Sequence, residues 1–167
     1  MTANAEATGF WARLDGAAGG LIYGAIMVLA ILMAMEGHMG APFETAVILF
    51  GSVLAITLAK AFAELLGEAL GSGQRMKRGA IRSAWRHSYP TLAAANVPTL
   101  LFCAAGLGWI GTADAFDTAQ VFSIALLSLV GARVGWILDR SVVSTILGSA
   151  FAGGIGLAIA VLKFVIH

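Results

Sequence analysis

The sequence is poor in charged residues, and it holds a single cysteine. Only 11% of its 167 residues are charged, against roughly 25% in soluble domains, which excludes an ordinary soluble globular fold. The positive residues gather in one loop and are not spread over a soluble surface, so we expect no nucleic-acid partner. Cys103 has no second cysteine to pair with, which excludes an internal disulfide, and we predict that it packs in an apolar run.

The chain also lacks the residue combinations of common catalytic sites. No nucleophile, general base and orienting acid occur together. The three histidines, His38, His87 and His167, fall in different predicted loops or termini. We therefore expect no enzymatic activity and no bound cofactor.

Long apolar runs are what the sequence has in abundance. Hydrophobic residues make up 59% of the chain, and the mean hydropathy is +0.90. Because a spanning helix needs about 20 mostly apolar residues, the runs predict an all-α integral membrane protein with five transmembrane helices. The predicted spans are 17–35, 45–70, 91–110, 119–138 and 143–166. Pro42 and Pro90 are predicted before or within the first turn of a helix, where a missing N–H is harmless.

The positions of the cations predict the orientation in the membrane. The first and third predicted loops contain no Lys or Arg, whereas Arg13 precedes the first span, Arg140 lies between the last two, and five cations lie between the second and third. This distribution places the N-terminus in the cytoplasm and the C-terminus outside. We predict an interfacial segment at 1–16, one transmembrane domain at 17–167 and a basic cytoplasmic loop at 71–89, in a multi-pass protein of the inner (plasma) membrane.

The basic loop is a candidate lipid-binding segment. Each cation beside a membrane attracts anionic headgroups by about 1 kcal/mol, and an aromatic ring anchors well at the interface. The alternative is that these cations only mark the topology. The candidate residues are Arg75, Lys77, Arg78, Arg82, Trp85 and Arg86.

Charged residues inside the second span form the candidate transport path. Lys60, Glu64 and Glu68 recur at four-residue spacing, which places them on one helical face. Unpaired ions in a membrane cost at least about 2.5 kcal/mol each, so Lys60 and Glu64 are predicted to pair, either along a conduction path or as a structural lock. Three further polar residues are predicted at a similar depth: Tyr23, Asn96 and Arg133. Alternatively, Arg133 and Glu68 reach the headgroups, and Tyr23 and Asn96 form hydrogen bonds to a neighbouring helix.

A second, different group of side chains follows the first span. Met35, Glu36 and His38 combine thioether, carboxylate and imidazole, which suit a transition-metal ion. Methionine is equally common as core filler, so packing is the alternative.

Small residues recur at four-residue spacing in several predicted helices. They are Gly16 and Gly20, Gly131 and Gly135, and Gly148, Ala152 and Gly156. Such rows let helix backbones approach closely. We take them as a sign of a homo-oligomer, with a dimer as the first expectation.

The helix order resembles that of the vacuolar iron transporter family. The resemblance rests on five helices, on "YPTLAAANVPTLLFCAAGL" in the third, and on a closing pair from "ALLSLVGARVGWILDRS" to "LKFVIH". It implies a dimer that exchanges ferrous iron or manganese for protons, along a path between helices 1 and 2 of the two protomers. The chain departs from the family where "GLIYGAI" places Tyr23 at a family Asp and "KAFAEL" places Lys60 at a family Met, although Glu64 matches. It also lacks the acidic cytoplasmic metal-binding domain.

These observations predict a small membrane transporter or channel for an ion, acting as a homo-oligomer. The ion would be a proton, a monovalent cation or a divalent metal, and a fixed cation at Lys60 disfavours the last of these. The alternative is a membrane scaffold or accessory subunit, whose buried charges only hold the helices together.

Overall fold

The computed structural model describes residues 2–36, 40–72 and 78–166, and these residues form five α-helices and no strand. The helices are α1 (Thr2–Glu36), α2 (Pro42–Ser72), α3 (Arg78–Gly106), α4 (Thr112–Asp139) and α5 (Val142–Ile166). The predicted all-helical class is confirmed.

Four of the described helices are long and apolar enough to cross a membrane. The segments that meet this criterion are Asp15–Met35 in α1, Pro42–Gly71 in α2, Thr112–Asp139 in α4 and Val142–Ile159 in α5. Helix α3 differs because its first three turns carry Arg82, Arg86 and His87, and its apolar part begins only near Thr91. The structure therefore fits a multi-pass membrane protein.

The beginning of α3 differs from the prediction. Residues 78–89, predicted as part of a loop, are helical, so Pro90 lies inside α3 and not at its start, and Pro98 lies inside it as well. Arginine and alanine are good helix formers, and no proline interrupts the segment before Pro90. Each proline removes one N–H from the helix, which leaves the carbonyls of Arg86 and Ala94 without their usual donors. Helix α1 likewise continues through most of the segment predicted as separate at 1–16.

Helix α1 lies at the centre of the bundle. It packs against α3 and α4, while α2 packs mainly on α3 and α5 mainly on α4. Close approach depends on glycine: a Cβ at Gly20 would lie 2.8 Å from Pro90 Cβ, and one at Gly135 would lie 2.7 Å from the carbonyl carbon of Ser144. Gly20 of α1 and the small residues of α4 and α5 are thus used between helices of one protomer, whereas a Cβ at Gly16 would meet nothing within 4 Å.

The turn between α4 and α5 is tight. Arg140 adopts a left-handed conformation with φ 48°, and its N–H donates to the Trp136 carbonyl. The Ser141 hydroxyl accepts hydrogen bonds from the N–H groups of Val143 (3.1 Å) and Ser144 (3.4 Å), which caps α5. This cap starts α5 at an angle that brings it back along α4.

The two ends of the bundle differ in charge and in packing. We call the end where α2 and α4 finish and α3 and α5 begin the basic end, and the other the acidic end. The main apolar core fills the half toward the acidic end, where Phe102 and Phe116 are buried with ring centroids 4.8 Å apart. Cys103 is half-buried and packs against this core, as predicted. The half toward the basic end is less tightly filled and holds the cavities described below.

Candidate functional site

A polar cleft opens between α1, α2 and α3 in the basic half of the bundle. Its volume is about 470 Å³. The residues that line it are Gly16, Gly19 and Gly20 of α1, Lys60, Glu64 and Glu68 of α2, and Ser83, Ala84 and His87 of α3. Four ionisable side chains therefore surround one space, and three of them belong to the predicted transport path.

The cleft exists because α1 presents glycine where it faces α2. A Cβ at Gly16 or Gly19 would meet nothing within 4 Å, so side chains are absent where the two helices would otherwise touch. Across the gap, Lys60 and Glu64 are half-buried and Glu68 is exposed. Lys60 lies about 18 Å along α2 from the end of the helix at Ser72, at 1.5 Å per residue. The cleft thus carries charge well into the apolar span.

Lys60 contacts an aromatic ring and not the predicted carboxylate. Its Nζ lies 5.7 Å from the centroid of the Tyr23 ring, at a distance suited to a cation–π interaction. Among the described side chains, Lys60 and Glu64 are not within ion-pair distance of each other. The predicted pair is therefore absent from this structure. The ring of Tyr23 in α1 gives the ammonium another partner.

Arg133 forms an ion pair outside the cleft. Its Nε donates to Asp15 Oδ1 at 2.9 Å and its Nη2 to Asp15 Oδ2 at 3.1 Å. The side chains keep 23% and 33% of their surface exposed, so the pair sits at the edge of the bundle. The pair joins the beginning of the α1 span to the basic half of α4. Arg133 does not line the cleft, although it was predicted to lie on the transport path.

Replacing Asp15 by Asn is expected to lower the melting midpoint slightly, by at most about 3 °C, because exposed ion pairs contribute little to stability. The loss should shrink as the salt concentration rises, since salt screens the wild-type pair. Thermal melts at 50 mM and 500 mM NaCl measure both effects. A large loss that salt does not change would show that the pair has a different role.

The remaining predicted site residues are dispersed. Asn96 lies on an exposed face of α3 and does not line the cleft, so its place on the path stays a prediction. Met35 is half-buried against the apolar core, as the packing alternative predicts. Glu36 is the last residue of α1, and Arg78 is the first of α3.

His38, Arg75 and Lys77 lie outside the described residues. No cluster of three metal-ligating side chains occurs within the ranges that the structure describes.

His87 and Ser83 complete the cleft, and sequence analysis missed both. They follow each other at four-residue spacing on α3, which places them on one face. The prediction that this segment is a loop hid that spacing. The available signal was the absence of proline from residues 79–89, together with the helix formers Ala80, Arg82, Ala84 and Arg86.

Two buried hydroxyl groups continue this face of α3 into the bundle. In the described spans, Thr57 and Ser123 each donate a hydrogen bond of 2.8 Å to the carbonyl four residues earlier. By contrast, Ser88 and Thr91 are fully buried, and their hydroxyl oxygens have no hydrogen-bond partner among the described residues. Thr91 lies against Gly20, which lines the cleft. Unsatisfied polar groups therefore extend from the cleft along the contact between α1 and α3.

Comparison of the chain with models of known protein families, with curated proteins and with solved structures finds no match.

Proposed function

We propose that this protein is a small membrane transporter for a cation, with the polar cleft as its entrance at the basic end. The observation that carries the proposal is the cleft itself, in which Lys60, Glu64 and Glu68 of the apolar span in α2 share one space with His87 of the charged beginning of α3. Ionisable residues within a membrane are costly, and they usually mark an ion or proton pathway.

The charges of the cleft favour a proton or a monovalent cation over a divalent metal. Two carboxylates face one ammonium and one imidazole, which leaves the cleft negative when the imidazole is neutral. Glu64 and Glu68 form no ion pair with a described cation, and in the proposed path they bind a proton or a monovalent ion. A divalent metal is disfavoured because Lys60 repels it and no described cluster offers three ligands.

Packing favours a carrier over a continuously open channel. The cleft reaches into the basic half, whereas the acidic half is closed by the apolar core around Phe102 and Phe116. A carrier exposes its site to one side at a time, and the structure would then represent the state open at the basic end. We place that end in the cytoplasm, with five spans and the C-terminus outside, because the cations cluster there.

A homo-oligomer remains part of the proposal, although it uses a different row of small residues. Helix α2 carries five small residues at four-residue spacing, all of them exposed: Gly51, Ala55, Ala59, Ala63 and Gly67. Open space surrounds Gly51 and Gly67 within the protomer. Such a row suits close contact between helices of two copies. The resemblance to vacuolar iron transporters, in which helices 1 and 2 line the dimer path, agrees with this placement beside the cleft.

Replacing Ala55 by Leu is expected to shift the protein toward monomers, because a larger side chain separates two backbones that meet at this row. We expect at least a tenfold weaker association, or about 1.4 kcal/mol. Mass photometry in mild detergent measures the distribution. The matched control is Ala150→Leu, on an exposed face of α5. Equal behaviour of the two variants, or a monomeric wild type, would contradict this interface.

The proposed function is tested by reconstituting the wild-type protein in liposomes. Proton flux is followed with a pH-sensitive dye inside the vesicles, and potassium and manganese flux with ion-selective dyes. Empty liposomes and heat-denatured protein provide the background. We expect flux of protons or potassium above that background and none of manganese. Absence of flux for every ion would contradict the proposal.

A structural scaffold is the second candidate, and one observation favours it. The Asp15–Arg133 pair ties α1 to α4 without lining the cleft, so at least one charged pair of the spans serves packing. In a scaffold, the charged residues of the cleft would likewise contribute only to the stability of the fold. The variants of Lys60 and Glu64 described in the Discussion separate the two candidates.

A further inference from the structure

A second and larger cavity adjoins the cleft at the basic end. It has a volume of about 1020 Å³ and lies between the beginning of the α1 span and the first three turns of α3. Gly16, Ser83 and His87 line both this cavity and the cleft. Whatever occupies the cavity therefore lies next to the ionisable groups of the cleft. We call it the arginine cavity, after Arg82 and Arg86, which line it.

The side chains of the arginine cavity suit a phosphate ester. Arg82 and Arg86 are four residues apart on α3, which places both guanidinium groups on one side of the helix. Neither forms an ion pair with a described carboxylate, and the sequence has no acidic residue between Ala69 and Ala113. Guanidinium groups bind phosphate through two parallel hydrogen bonds, so Arg82 and Arg86 suit an anionic headgroup.

The surroundings indicate a lipid and not a soluble anion. Trp85 and Tyr89 also line the cavity, and the two residues are 41% and 50% exposed. They lie where the charged beginning of α3 meets its apolar part. Aromatic rings of this kind are enriched at the level of membrane headgroups, where one edge is apolar and the other polar. A phospholipid would place its phosphate at the arginines and its acyl chains along the exposed apolar face of the bundle.

We propose that the arginine cavity binds the headgroup of an anionic phospholipid, and that the bound phosphate increases cation flux through the neighbouring cleft. The first part stands on the cavity alone. The second part rests on the proposed transport function, since a fixed negative charge beside His87 raises the local concentration of cations at the cleft.

Binding is tested on the purified full-length protein in mild detergent. Native mass spectrometry counts the phosphatidylglycerol molecules that remain bound in titrations, with phosphatidylcholine as the zwitterionic reference. We expect Arg86→Gln to weaken phosphatidylglycerol binding about fivefold and the double variant Arg82→Gln/Arg86→Gln about twenty-fivefold, at one cation per step. Arg86→Lys keeps the charge but loses the paired hydrogen bonds, so its loss should be smaller.

The matched control is Arg140→Gln, which removes the same charge from an exposed turn at the basic end but not from the cavity. It should bind phosphatidylglycerol as the wild type does. An equal loss in Arg140→Gln and Arg86→Gln would show general surface attraction and overturn the site. Displacement of the lipid by millimolar glycerol 3-phosphate would show a site for free phosphate and overturn the assignment to a lipid.

The effect on transport is tested by flux in liposomes of phosphatidylcholine with and without 30% phosphatidylglycerol. Wild-type and Arg140→Gln flux should rise severalfold with the anionic lipid, whereas flux of the double variant should not. A wild-type flux that is independent of the lipid overturns the regulatory part. If the wild type transports no ion in either membrane, the proposed function and the regulatory part both fail, and the binding titration alone decides the lipid site.

Discussion

Liposomes that contain the Glu64→Gln variant are expected to show cation flux about tenfold or more below the wild type, with an unchanged melting midpoint. Glu64 is half-buried in the cleft and forms no ion pair with a described cation. In the proposed path this carboxylate binds the transported ion, and its loss would remove a negative site. Because no ion pair between described residues is broken, the free energy of unfolding should change little.

The matched control for this variant is Glu44→Gln, the same substitution at the other end of α2 and outside the cleft. Its flux should remain within about twofold of the wild type. A scaffold would behave differently: neither variant would alter flux, since no protein would transport. If the Glu64→Gln variant has the same flux as the wild type, the transported ion does not bind Glu64.

The Lys60→Met variant tests the other charge of the cleft. Removing the ammonium leaves the cleft more negative, so cation flux should rise, by about tenfold for each ~1.4 kcal/mol of repulsion removed. The cation–π contact with Tyr23 would be lost, at a cost of about 0.5 to 1 kcal/mol. If the free energy of unfolding instead falls by about 3 kcal/mol or more and the flux does not rise, Lys60 is a structural ion.

The largest effect on stability is expected from Gly135→Ala in α4. A Cβ at this position would clash with the backbone carbonyl of Ser144 and would lie 3.1 Å from Thr145 Cα. Backbone cannot move aside as the tip of a side chain can, so α4 and α5 must separate. We expect a loss of about 2 kcal/mol or more and a melting midpoint lower by about 5 to 10 °C.

Gly154→Ala provides a control of opposite sign for this variant. Gly154 lies in α5, and a Cβ there would meet nothing within 4 Å. Alanine favours helix over glycine by about 1 kcal/mol, so this variant should melt at or above the wild-type midpoint. Thermal melts of the three proteins in one detergent make the comparison. A Gly135→Ala protein that melts as high as Gly154→Ala would contradict the packing of α4 on α5.

The positions of the helices were largely predictable, and the cleft only in part. Apolar runs gave α2 and α5 to within a few residues, whereas the charged beginning of α3 was predicted as a loop because hydropathy alone does not detect a polar helix. Lys60, Glu64 and Glu68 were found because all three lie on one helix at four-residue spacing. His87 belongs to another helix, and its place beside them depends on how α3 packs.

The sequence by itself determined the class of the protein and where most of its spans lie, because each apolar run responds to the membrane independently of its neighbours. Only the tertiary structure decided which polar groups meet. It joins Arg133 to Asp15, which are distant in sequence, it places Lys60 on Tyr23, and it leaves Asn96 on an exposed face. Spans that are apolar on all sides carry no strong periodicity to show which face is inward. The rotation of each helix is therefore set by close packing at positions such as Gly20 and Gly135, where backbones touch.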